Sequence, residues 1–589
     1  MNILGFSGLH NSMAYKKRLF PSLDSRDCRI ATGHDAAAVL VTKDGIVAAA
    51  AEERFSRRKA TGDFPVQAMQ YCLQQASLDW DDIDVLAHGF SYEPVRDFFM
   101  KLSAFEQRRF EEVYSRAAQL RAIQEFLPAS AGEKLRGVPH HLAHAASAFY
   151  ASGMPEALIV VSDGMGEAHS CTVATGSSKG IKILRTIASL HSLGMLYSVV
   201  TLHLGFAMSS DEYKVMGLAA YGDARTTMPK FMELIRLHRD GTYSIPCLVE
   251  TGTDLEQETL SASRRHLASV FGPAREPGAK LTQYHKDVAA GMQSALQHAF
   301  MHLLRHVRHE TGMTNLCLAG GVALNCVLNG VVARSGLFRD IFVQPAAGDD
   351  GTALGAALYV QRSRSSEVRH ERMGPPFLGP EFSDEAIESV LKRSPECTYT
   401  FHPDYDELCA KSARAIHEGR IVGWFQGRME YGPRALGARS ILANPCLPDM
   451  RERVNALIKK RENFRPFAPA VLRERARDIF DIAAGTEDMY ENMLFVAQVN
   501  REYRETLPAI THVDGSARVQ VVSSSNNPKL HALIRAFHEV SGMPVVLNTS
   551  FNVAEQPIVC TPEEAVETFL RAKLDALAIG SFWVERAEP

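Results

Sequence analysis

A strand–turn–strand pattern that occurs twice, roughly 150 residues apart, is the feature that most restricts how this chain can fold. In the first copy, apolar residues 36–41 and 46–51 flank Lys43-Asp44-Gly45, and an Asp-Gly pair favours a hairpin turn. In the second copy, residues 158–162, 171–174 and 181–187 have the same character, and Gly180 stands at the turn. A repeated supersecondary unit predicts one folding plan used twice, with the turns facing each other across a cleft.

Composition excludes several classes of protein. Of 589 residues, 46% are hydrophobic and 22% are charged, which is typical of a globular protein with a large core. The formal net charge of −4 gives no basic field for nucleic acid, and no run of about 18 apolar residues indicates a membrane span. Ten cysteines without a C-x-x-C pair predict reduced thiols in a cytoplasmic protein. The first seven residues predict a strand rather than a signal peptide.

Two histidines carry the first sign of chemistry. His140 and His144 stand four residues apart among helix-forming residues, so a helix would place both imidazoles on one face. They could hold a zinc- or iron-like metal or simply make ordinary hydrogen bonds. Asp163 follows an apolar run, and Asp349-Asp350 precedes a small-residue helix. Two histidines and two aspartates would complete a nitrogen and oxygen ligand set.

A glycine pair marks a second candidate site. A predicted strand at 316–319 runs into Gly320-Gly321 and then into a helix. Glycines at that point let a nucleotide approach the backbone at the start of the helix. Close packing of strand against helix is the alternative.

A change of composition at 361–382 predicts a linker, because this segment contains Arg-Ser-Arg-Ser-Ser and a Pro- and Gly-rich run. We therefore predict two domains, 1–365 and 383–589, both α/β. Residues 11–29 separate the first two strands, carry several basic residues and are predicted to form a surface loop.

Taken together, the motifs resemble the NodU/CmcH family of O-carbamoyltransferases over nearly the whole chain. The matching segments are His34-Asp35 before the first hairpin, His140-His141-x-x-His144 with Asp163-Gly-x-Gly, Ala319-Gly-Gly-Val-Ala-x-Asn325 with Gly348-Asp-Asp-Gly351, 431–440, 460–469 and 547–552. The insert at 11–29 departs from the family pattern and puts the identity of the acceptor in doubt.

The resemblance implies a duplicated, actin/hexokinase-like (TsaD-like) N-terminal domain that binds metal and ATP, and an α/β YrdC-like C-terminal domain. By resemblance, His140, His144, Asp163 and Asp349 hold one divalent metal, Fe(II) by preference and Zn or Mn otherwise. Asp350 competes with Asp349, and His141 packs beside the site. The implied co-substrates are carbamoyl phosphate and ATP with Mg.

The family joins carbamoyl phosphate and ATP into carbamoyl adenylate, which requires fixed cations and donors around phosphate oxygens. Lys460, Arg461 and Arg465 fit this requirement, although 459–465 could be a solvated basic helix end. Ser550 and Asn552 would project from one face of an extended segment. Arg434, and also Arg439, are further candidates that could instead pair with structural carboxylates. We assign Lys460 and Arg465 to catalysis as well as binding.

The second step is attack of an alcohol on the carbamoyl carbon, and it needs a proton acceptor. His34 is the candidate base, since its ordinary pKa lies near neutrality. Asp35 or a metal-bound water could replace it, and His34 could instead hold a loop. Nucleotide-binding candidates are Gly164 and Gly166 through backbone N–H groups, Gly320, Gly321 and Asn325 on the adenosine side, and Lys214, which could equally be structural.

The predicted function is ATP-dependent O-carbamoylation of a hydroxylated small molecule, as in antibiotic and other secondary metabolism. The acceptor could be an aminoglycoside, macrocycle, cephem, glycolipid or alkaloid alcohol. A tRNA threonylcarbamoyl-type transferase is one alternative, disfavoured by the near-neutral charge. An actin-like ATPase acting as a binding module is the other, and it leaves 460–469 without a purpose. The sequence allows a homo-oligomer without predicting one.

Overall fold

The computed structural model describes residues 1–30, 32–249, 252–364, 371–459, 462 and 464–587. The chain divides into two compact units. The first contains 1–53 and 60–373, and the second contains 54–59 and 374–589. The predicted limits of 1–365 and 383–589 bracket this division and remain predictions. Each unit consists of mixed β-sheets with helices, so the α/β class is confirmed.

The first unit contains two five-stranded sheets and a short two-stranded ribbon. The strands of the unit are β1 (Ile3–Phe6), β2 (Ala37–Thr42), β3 (Gly45–Ala51), β4 (Val85–His88), β5 (Leu135–Gly137), β6 (Ala157–Ser162), β7 (His169–Ser177), β8 (Gly180–Ala188), β9 (Arg236–Leu237), β10 (Tyr243–Ser244), β11 (Asn315–Ala319) and β12 (Asp340–Val343).

The two large sheets have the same connectivity. One has the order β3-β2-β1-β4-β5 and the other the order β12-β11-β6-β7-β8. In each sheet, the first three strands in chain order pair antiparallel and the last two add in parallel beside the first. This is the duplicated arrangement that the repeated strand–turn–strand pattern predicts.

Helices surround these sheets. They are α1 (Ser12–Leu19), α2 (Ser25–Cys28), α3 (Glu53–Ser56, which continues into the second unit), α4 (Val66–Ala76), α5 (Arg96–Phe99), α6 (Ala104–Arg109), α7 (Arg116–Phe126), α8 (His140–Ser152), α9 (Leu193–His203), α10 (Glu212–Ala219), α11 (Met228–Leu234), α12 (Asp254–Thr259), α13 (Ser261–Phe271), α14 (Gln283–Thr311), α15 (Cys326–Arg334) and α16 (Asp350–Arg364). Within the described residues, no helix combines the length and apolar character needed to cross a membrane.

Parallel strands bring the polar loops of the second sheet to one edge. Because β6, β11 and β12 run in the same direction, the segments that follow them emerge together. These segments contain Asp163, Gly320 and Asp349, which lie far apart in the sequence.

The insert at 11–29 is helical, and the predicted surface loop is wrong. Helices α1 and α2 lie within it, and Lys16 of α1 is only 1% exposed. The Lys16 ammonium donates to the carbonyls of Ile30 (2.7 Å) and Glu258 (2.6 Å) and lies 3.6 Å from the Glu258 carboxylate. A buried charge needs such partners, so the insert is a packed part of the unit.

Replacing Lys16 with methionine should therefore destabilise the protein by about 3 kcal/mol, because Glu258 would lose one of its buried cations. Lys17→Met is the matched control, since Lys17 is exposed on the same helix and its loss should cost under about 0.5 kcal/mol. Chemical denaturation of both variants measures the difference. Equal stabilities would show that the buried contacts of Lys16 contribute nothing net.

The second unit contains an eight-stranded mixed sheet of order β13-β22-β21-β14-β15-β20-β16-β19 and a ribbon of β17 and β18. These strands are β13 (Cys397–Phe401), β14 (Val422–Phe425), β15 (Arg439–Ala443), β16 (Ala468–Leu472), β17 (Val496–Gln498), β18 (Ser516–Arg518), β19 (Gln520–Val522), β20 (Val545–Ser550), β21 (Ala576–Ile579) and β22 (Phe582–Arg586). The YrdC-like assignment of this unit remains a prediction.

The helices of the second unit are α17 (Asp384–Lys392), α18 (Tyr405–His417), α19 (Met450–Val454), α20 (Ala476–Ile479), α21 (Pro528–Ser541) and α22 (Pro562–Arg571). Buried apolar residues of α18 and α21, including Leu408, Ile534 and Phe537, pack with Trp424 and Val546 of the sheet.

The predicted linker at 361–382 contains the division between the two units, after Met373, but its first four residues are helical. Residues 361–364 continue α16, and Phe377 pairs with Glu430 as an isolated β-bridge inside the second unit. Residues 365–370 lie outside the described residues.

Candidate functional site

Helix α8 carries the two predicted metal-binding histidines. It begins at His140 directly after Pro139, so His140 and His144 lie one turn apart on its first two turns. Both side chains are fully buried, and their Nε2 atoms are 3.2 Å apart. The i, i+4 spacing thus brings two imidazole nitrogens to one point.

Two carboxylates meet the histidines there. The Nε2 of His140 lies 3.4 Å from Asp163 Oδ2 and 3.4 Å from Asp349 Oδ1. The Nε2 of His144 lies 3.9 Å and 3.6 Å from the same two oxygens. One ligand atom from each residue falls within 4.8 Å of the others, and all four residues are buried.

The donor set fits a first-row divalent cation. The Nδ1 of His140 donates to the carbonyl of Gly89 at 3.1 Å, because a carbonyl can only accept. In the neutral ring, the Nε2 lone pair therefore faces two negatively charged carboxylates. A bound cation would offset the repulsion between these groups. Asp163 Oδ1 accepts from the backbone N–H of Gly321 at 2.8 Å, so Oδ2 is the oxygen turned to the histidines. The histidine nitrogens lie 3.2–3.9 Å from each other and from the two carboxylate oxygens, which suits metal–ligand bonds of about 2.0–2.2 Å.

The charges at this cluster are tightly linked. Burial acts to lower the pKa of His140, but Asp349 and Asp163 outweigh it and hold that pKa well above the usual value. Burial and Asp349 act to raise the pKa of Asp163, but the hydrogen bond from His140 and the charges of His144 and His140 hold it below its usual value. Burial also acts to raise the pKa of Asp349, but His140, His144 and His34 hold that pKa well below its usual value, so both carboxylates remain anionic.

Asp350 is arranged differently from Asp349. Its Oδ1 accepts from the N–H of Gly351 at 3.0 Å, at the start of α16. Burial and the charge of Asp35, with further contributions from Asp349 and Glu53, raise the pKa of Asp350 to about 8. The geometry thus favours Asp349 over Asp350 as the fourth ligand, and that role remains a proposal.

His141 lies next to the cluster without joining it. Its Nδ1 is 2.8 Å from the hydroxyl of Thr172, and its ring lies against Gly166, where a Cβ would come within 2.8 Å of the ring carbon. This packing agrees with the place beside the site that the resemblance implies.

Glu167 is a residue that sequence reasoning missed. The side chain is half-buried, and its Oε1 accepts from the backbone N–H of His140 at 2.8 Å and from that of Ser91 at 2.9 Å. It therefore fixes the first turn of α8 to the loop whose Gly89 carbonyl orients His140. The only sequence signal is its place at the end of Asp163-Gly-x-Gly-Glu167.

His34 lies in the first unit with its Nδ1 3.2 Å from Asp35 Oδ2, and its side chain is one-third exposed. Burial acts to lower its pKa, but Asp35, Asp349 and Asp163 outweigh that and raise the pKa to about 10. A divalent cation held by Asp349 and Asp163 would oppose their part of this effect. The Asp35 bond orients the ring, and the role as base remains a prediction.

The four glycines predicted to bind nucleotide differ in how much space surrounds them. Gly320 has φ +89 and a Cβ there would collide with the Ser162 backbone, and a Cβ at Gly321 would lie 3.1 Å from Asp163 Oδ1, so both glycines permit close packing within the protein. A Cβ at Gly164 would meet only open space. Gly166 donates its N–H to the His169 carbonyl at 2.8 Å.

Asn325 and Lys214 both have protein partners. The amide of Asn325 exchanges hydrogen bonds with that of Gln293, at 2.9 Å and 3.2 Å, and caps α15 through Leu328 N–H. The ammonium of Lys214 lies 3.1 Å from Asp211. These contacts suffice for structural roles, and nucleotide binding by either residue remains a prediction.

In the second unit, Ser550 and Asn552 lie together at the end of β20. The Ser550 hydroxyl donates to Asn552 Oδ1 at 2.7 Å, and Asn552 Nδ2 donates to the Gln556 carbonyl at 2.6 Å. Arg465 lies 3.6 Å from Glu462. Lys460 and Arg461 lie outside the described residues.

Arg439 is fully buried and donates to backbone carbonyls. Its guanidinium donates to the carbonyls of Gly427 (3.0 Å), Ala438 (3.0 Å) and Pro380 (2.9 Å) and stacks over Phe425 at 3.6 Å. It therefore holds the Gly-rich loop together. Arg434 of the same loop is half-buried.

Both units match known protein families. Residues 26–358 match the family described as carbamoyltransferase N-terminus, and residues 413–586 match the one described as carbamoyltransferase C-terminus. The chain is 40% identical to nodulation protein NolNO of Sinorhizobium fredii, over 94% of this chain and 79% of that protein. It is 32% identical to 3'-hydroxymethylcephem-O-carbamoyltransferase of Amycolatopsis lactamdurans, over 64% of this chain and 66% of that protein.

Solved structures give a looser likeness. Full-length HypF in a phosphate- and nucleotide-bound form overlaps 61% of this chain and 55% of its own, with a TM-score of 0.35 and 13% identity. This overlap is too weak to support an assignment of sites.

Proposed function

We propose that this chain activates carbamoyl phosphate with ATP and passes the carbamoyl group to a hydroxyl of a small molecule. The chain belongs to the carbamoyltransferase family and is therefore an enzyme of carbamoyl transfer. One observation carries the proposal. The family matches span both units, and each unit has its own polar centre, the buried His₂Asp₂ cluster in the first and the Ser550–Asn552 pair in the second.

The first step forms the mixed anhydride and belongs to the second unit in this proposal. A carbamoyl group is a poor donor because its nitrogen feeds electrons into the carbonyl, so activation is needed. Carbamoyl phosphate, ATP and water yield carbamoyl adenylate, diphosphate and phosphate. Lys460, Arg461, Arg465 and Arg434 would neutralise phosphate charge, and Ser550 and Asn552 would supply neutral hydrogen-bonding groups.

The second step transfers the group and belongs to the first unit in this proposal. The acceptor oxygen attacks the carbamoyl carbon, the bond from that carbon to the adenylate oxygen breaks, and AMP leaves. In its neutral form, which requires that the bound cation offset the charges of Asp349 and Asp163, His34 would take the alcohol proton at the nitrogen that does not face Asp35. His140, His144, Asp163 and Asp349 would hold a divalent metal, Fe(II) by preference, whose Lewis acidity would favour attack at the carbonyl.

The nucleotide contacts of the first unit follow from its glycines in this proposal. Gly164, where a Cβ would meet only open space, and Gly166 would lie at the phosphates, Gly320, Gly321 and Asn325 would lie on the adenosine side, and Lys214 would lie near a phosphate.

The relative that carries O-carbamoyltransferase in its name acts on a hydroxymethylcephem, which supports an alcohol acceptor here. The direct test is to supply purified enzyme with ATP, carbamoyl phosphate and panels of hydroxylated small molecules, and to detect the carbamate product by mass spectrometry. A transcribed tRNA in the same panel tests the tRNA alternative. Product that forms equally without ATP would contradict the proposed activation.

His34→Asn should still form the adenylate but transfer the carbamoyl group about 10²–10⁴-fold more slowly, because a general base would be lost. Single-turnover transfer from preformed carbamoyl adenylate measures this step alone. His298→Asn is the matched control, since His298 is exposed on α14. An unchanged rate in His34→Asn would remove His34 from the mechanism and leave Asp35 as the next candidate.

A further inference from the structure

The loop that carries Arg434 is shaped around one buried carboxylate. We call residues 431–438 the arginine loop. Glu430, which precedes it, is 3% exposed, and its Oε1 accepts from the backbone N–H groups of Leu436 (2.8 Å), Ala438 (2.7 Å) and Arg439 (3.0 Å). Three charge-assisted bonds to one oxygen fix the course of the backbone after Arg434.

Other buried side chains hold the carbonyls of the loop. The Ala435 carbonyl accepts from Asn548, the Leu436 carbonyl from Gln520 and Asn527, and the Gly437 carbonyl from Trp424. In addition, the Gly437 N–H donates to the Ser440 hydroxyl at 3.0 Å. The backbone from Ala435 to Arg439 is therefore bound by side chains on both its donor and its acceptor sides.

Two glycines with positive φ angles further restrict the backbone of the arginine loop. Gly437 has φ +99, and a Cβ there would overlap the side chain of Leu530. Gly432, at the other end, has φ +116, and its carbonyl accepts from Arg54 at 3.0 Å. Both backbone conformations favour glycine, so the backbone is restricted on each side of Arg434.

The loop is also tied to the strand that carries Ser550. Asn548, which donates to the carbonyl next to Arg434, lies on β20 two residues before Ser550, and Ser440 pairs directly with Ser550 across β15 and β20. The same strand end therefore places Ser550 and supports the backbone beside Arg434.

We propose that Glu430 is a positioning residue for the adenylate-forming site, and that it acts by fixing the backbone that aims the Arg434 guanidinium at the anionic phosphates of carbamoyl phosphate and ATP. This inference rests on the proposed function, because Arg434 must first take part in binding those anions. Glu430 itself is turned into the loop and donates no group to the substrate.

The second carboxylate oxygen of Glu430 makes a glutamine substitution informative. Oε2 is buried and has no hydrogen-bond partner among the described residues, so the three backbone bonds depend on Oε1 alone. A glutamine can place its amide oxygen where Oε1 lies and keep all three bonds, although without the charge. Glu430→Gln should therefore retain much of the activity, and Glu430→Ala should not.

The experiment measures ATP–diphosphate exchange dependent on carbamoyl phosphate in the full-length enzyme. Glu430→Ala should lower kcat/KM for carbamoyl phosphate about 10²-fold, since a displacement of about 1 Å at a reacting group costs this much. Glu430→Gln should recover most of that loss. Thermal unfolding of both variants checks that they remain folded.

A double-mutant cycle with Arg434→Lys separates positioning from general stability. If Glu430 acts through Arg434, adding Glu430→Ala to Arg434→Lys should lower kcat/KM by far less than 10²-fold. Fully additive effects, or a Glu430→Gln variant as weak as Glu430→Ala, would overturn the positioning role. If Arg434→Lys alone leaves exchange unchanged, the role proposed for Arg434 fails, and that outcome also overturns an action of Glu430 through Arg434. Absence of exchange in the unchanged enzyme would instead refute the proposed function.

Discussion

His144→Ala should yield protein that contains almost no first-row metal and transfers no carbamoyl group. The Nε2 of His144 lies within 3.9 Å of both carboxylates and 3.2 Å from the other imidazole, so its removal takes one of four converging ligands. Changes to groups that only orient a ligand cost about 10–100-fold in metal affinity, so loss of a ligand itself should exceed about 10²-fold. Elemental analysis of the purified variant measures this directly.

Neighbouring aspartates supply the matched controls. Asp349→Asn should lose metal as His144→Ala does, whereas Asp350→Asn should retain it, because the Asp350 carboxylate is engaged at the start of α16. Full metal content in His144→Ala would refute the site. Loss of metal in Asp350→Asn alone would exchange the roles of the two aspartates.

Lys460→Ala should abolish diphosphate exchange that depends on carbamoyl phosphate. Removing one fixed electrostatic group from a site of developing charge costs about 10²–10³-fold in rate, and Lys460 is the lysine of the cluster completed by Arg461 and Arg465. Lys392→Ala, an exposed lysine of the same unit, is the control and should behave as the unchanged enzyme. Exchange at the normal rate in Lys460→Ala would show that 459–465 is a solvated basic segment.

Local patterns predicted the parts of this molecule that local physics determines. The repeated strands were predictable because short apolar runs on both sides of a glycine-containing turn favour hairpins without distant contacts. The His140 and His144 pair was predictable because helical spacing alone places both rings on one face. The meeting of this pair with Asp163 and Asp349 rests on the order of the strands in the sheet, which spacing alone does not determine, and the family resemblance was what suggested it.

Distant contacts explain what the sequence left open. Asp349 and Asp350 are chemically equal neighbours, and only the start of α16 distinguishes them. The insert at 11–29 was predicted to be a loop because basic residues are usually exposed to solvent. Lys16 is instead buried and donates to Glu258, which lies 242 residues away in the sequence. Glu167 and Glu430 accept hydrogen bonds from backbone N–H groups. Such bonds cannot be predicted from the spacing of side chains in the sequence.

The central claim is that the second unit activates the carbamoyl group and the metal-binding cluster of the first unit transfers it. Carbamoyl-phosphate-dependent ATP–diphosphate exchange in His144→Ala tests that division most directly, with product formation measured on the same sample. We predict that exchange continues at much of its normal rate while no carbamoylated product forms. Loss of exchange in His144→Ala, together with its survival in Lys460→Ala, would contradict the claim.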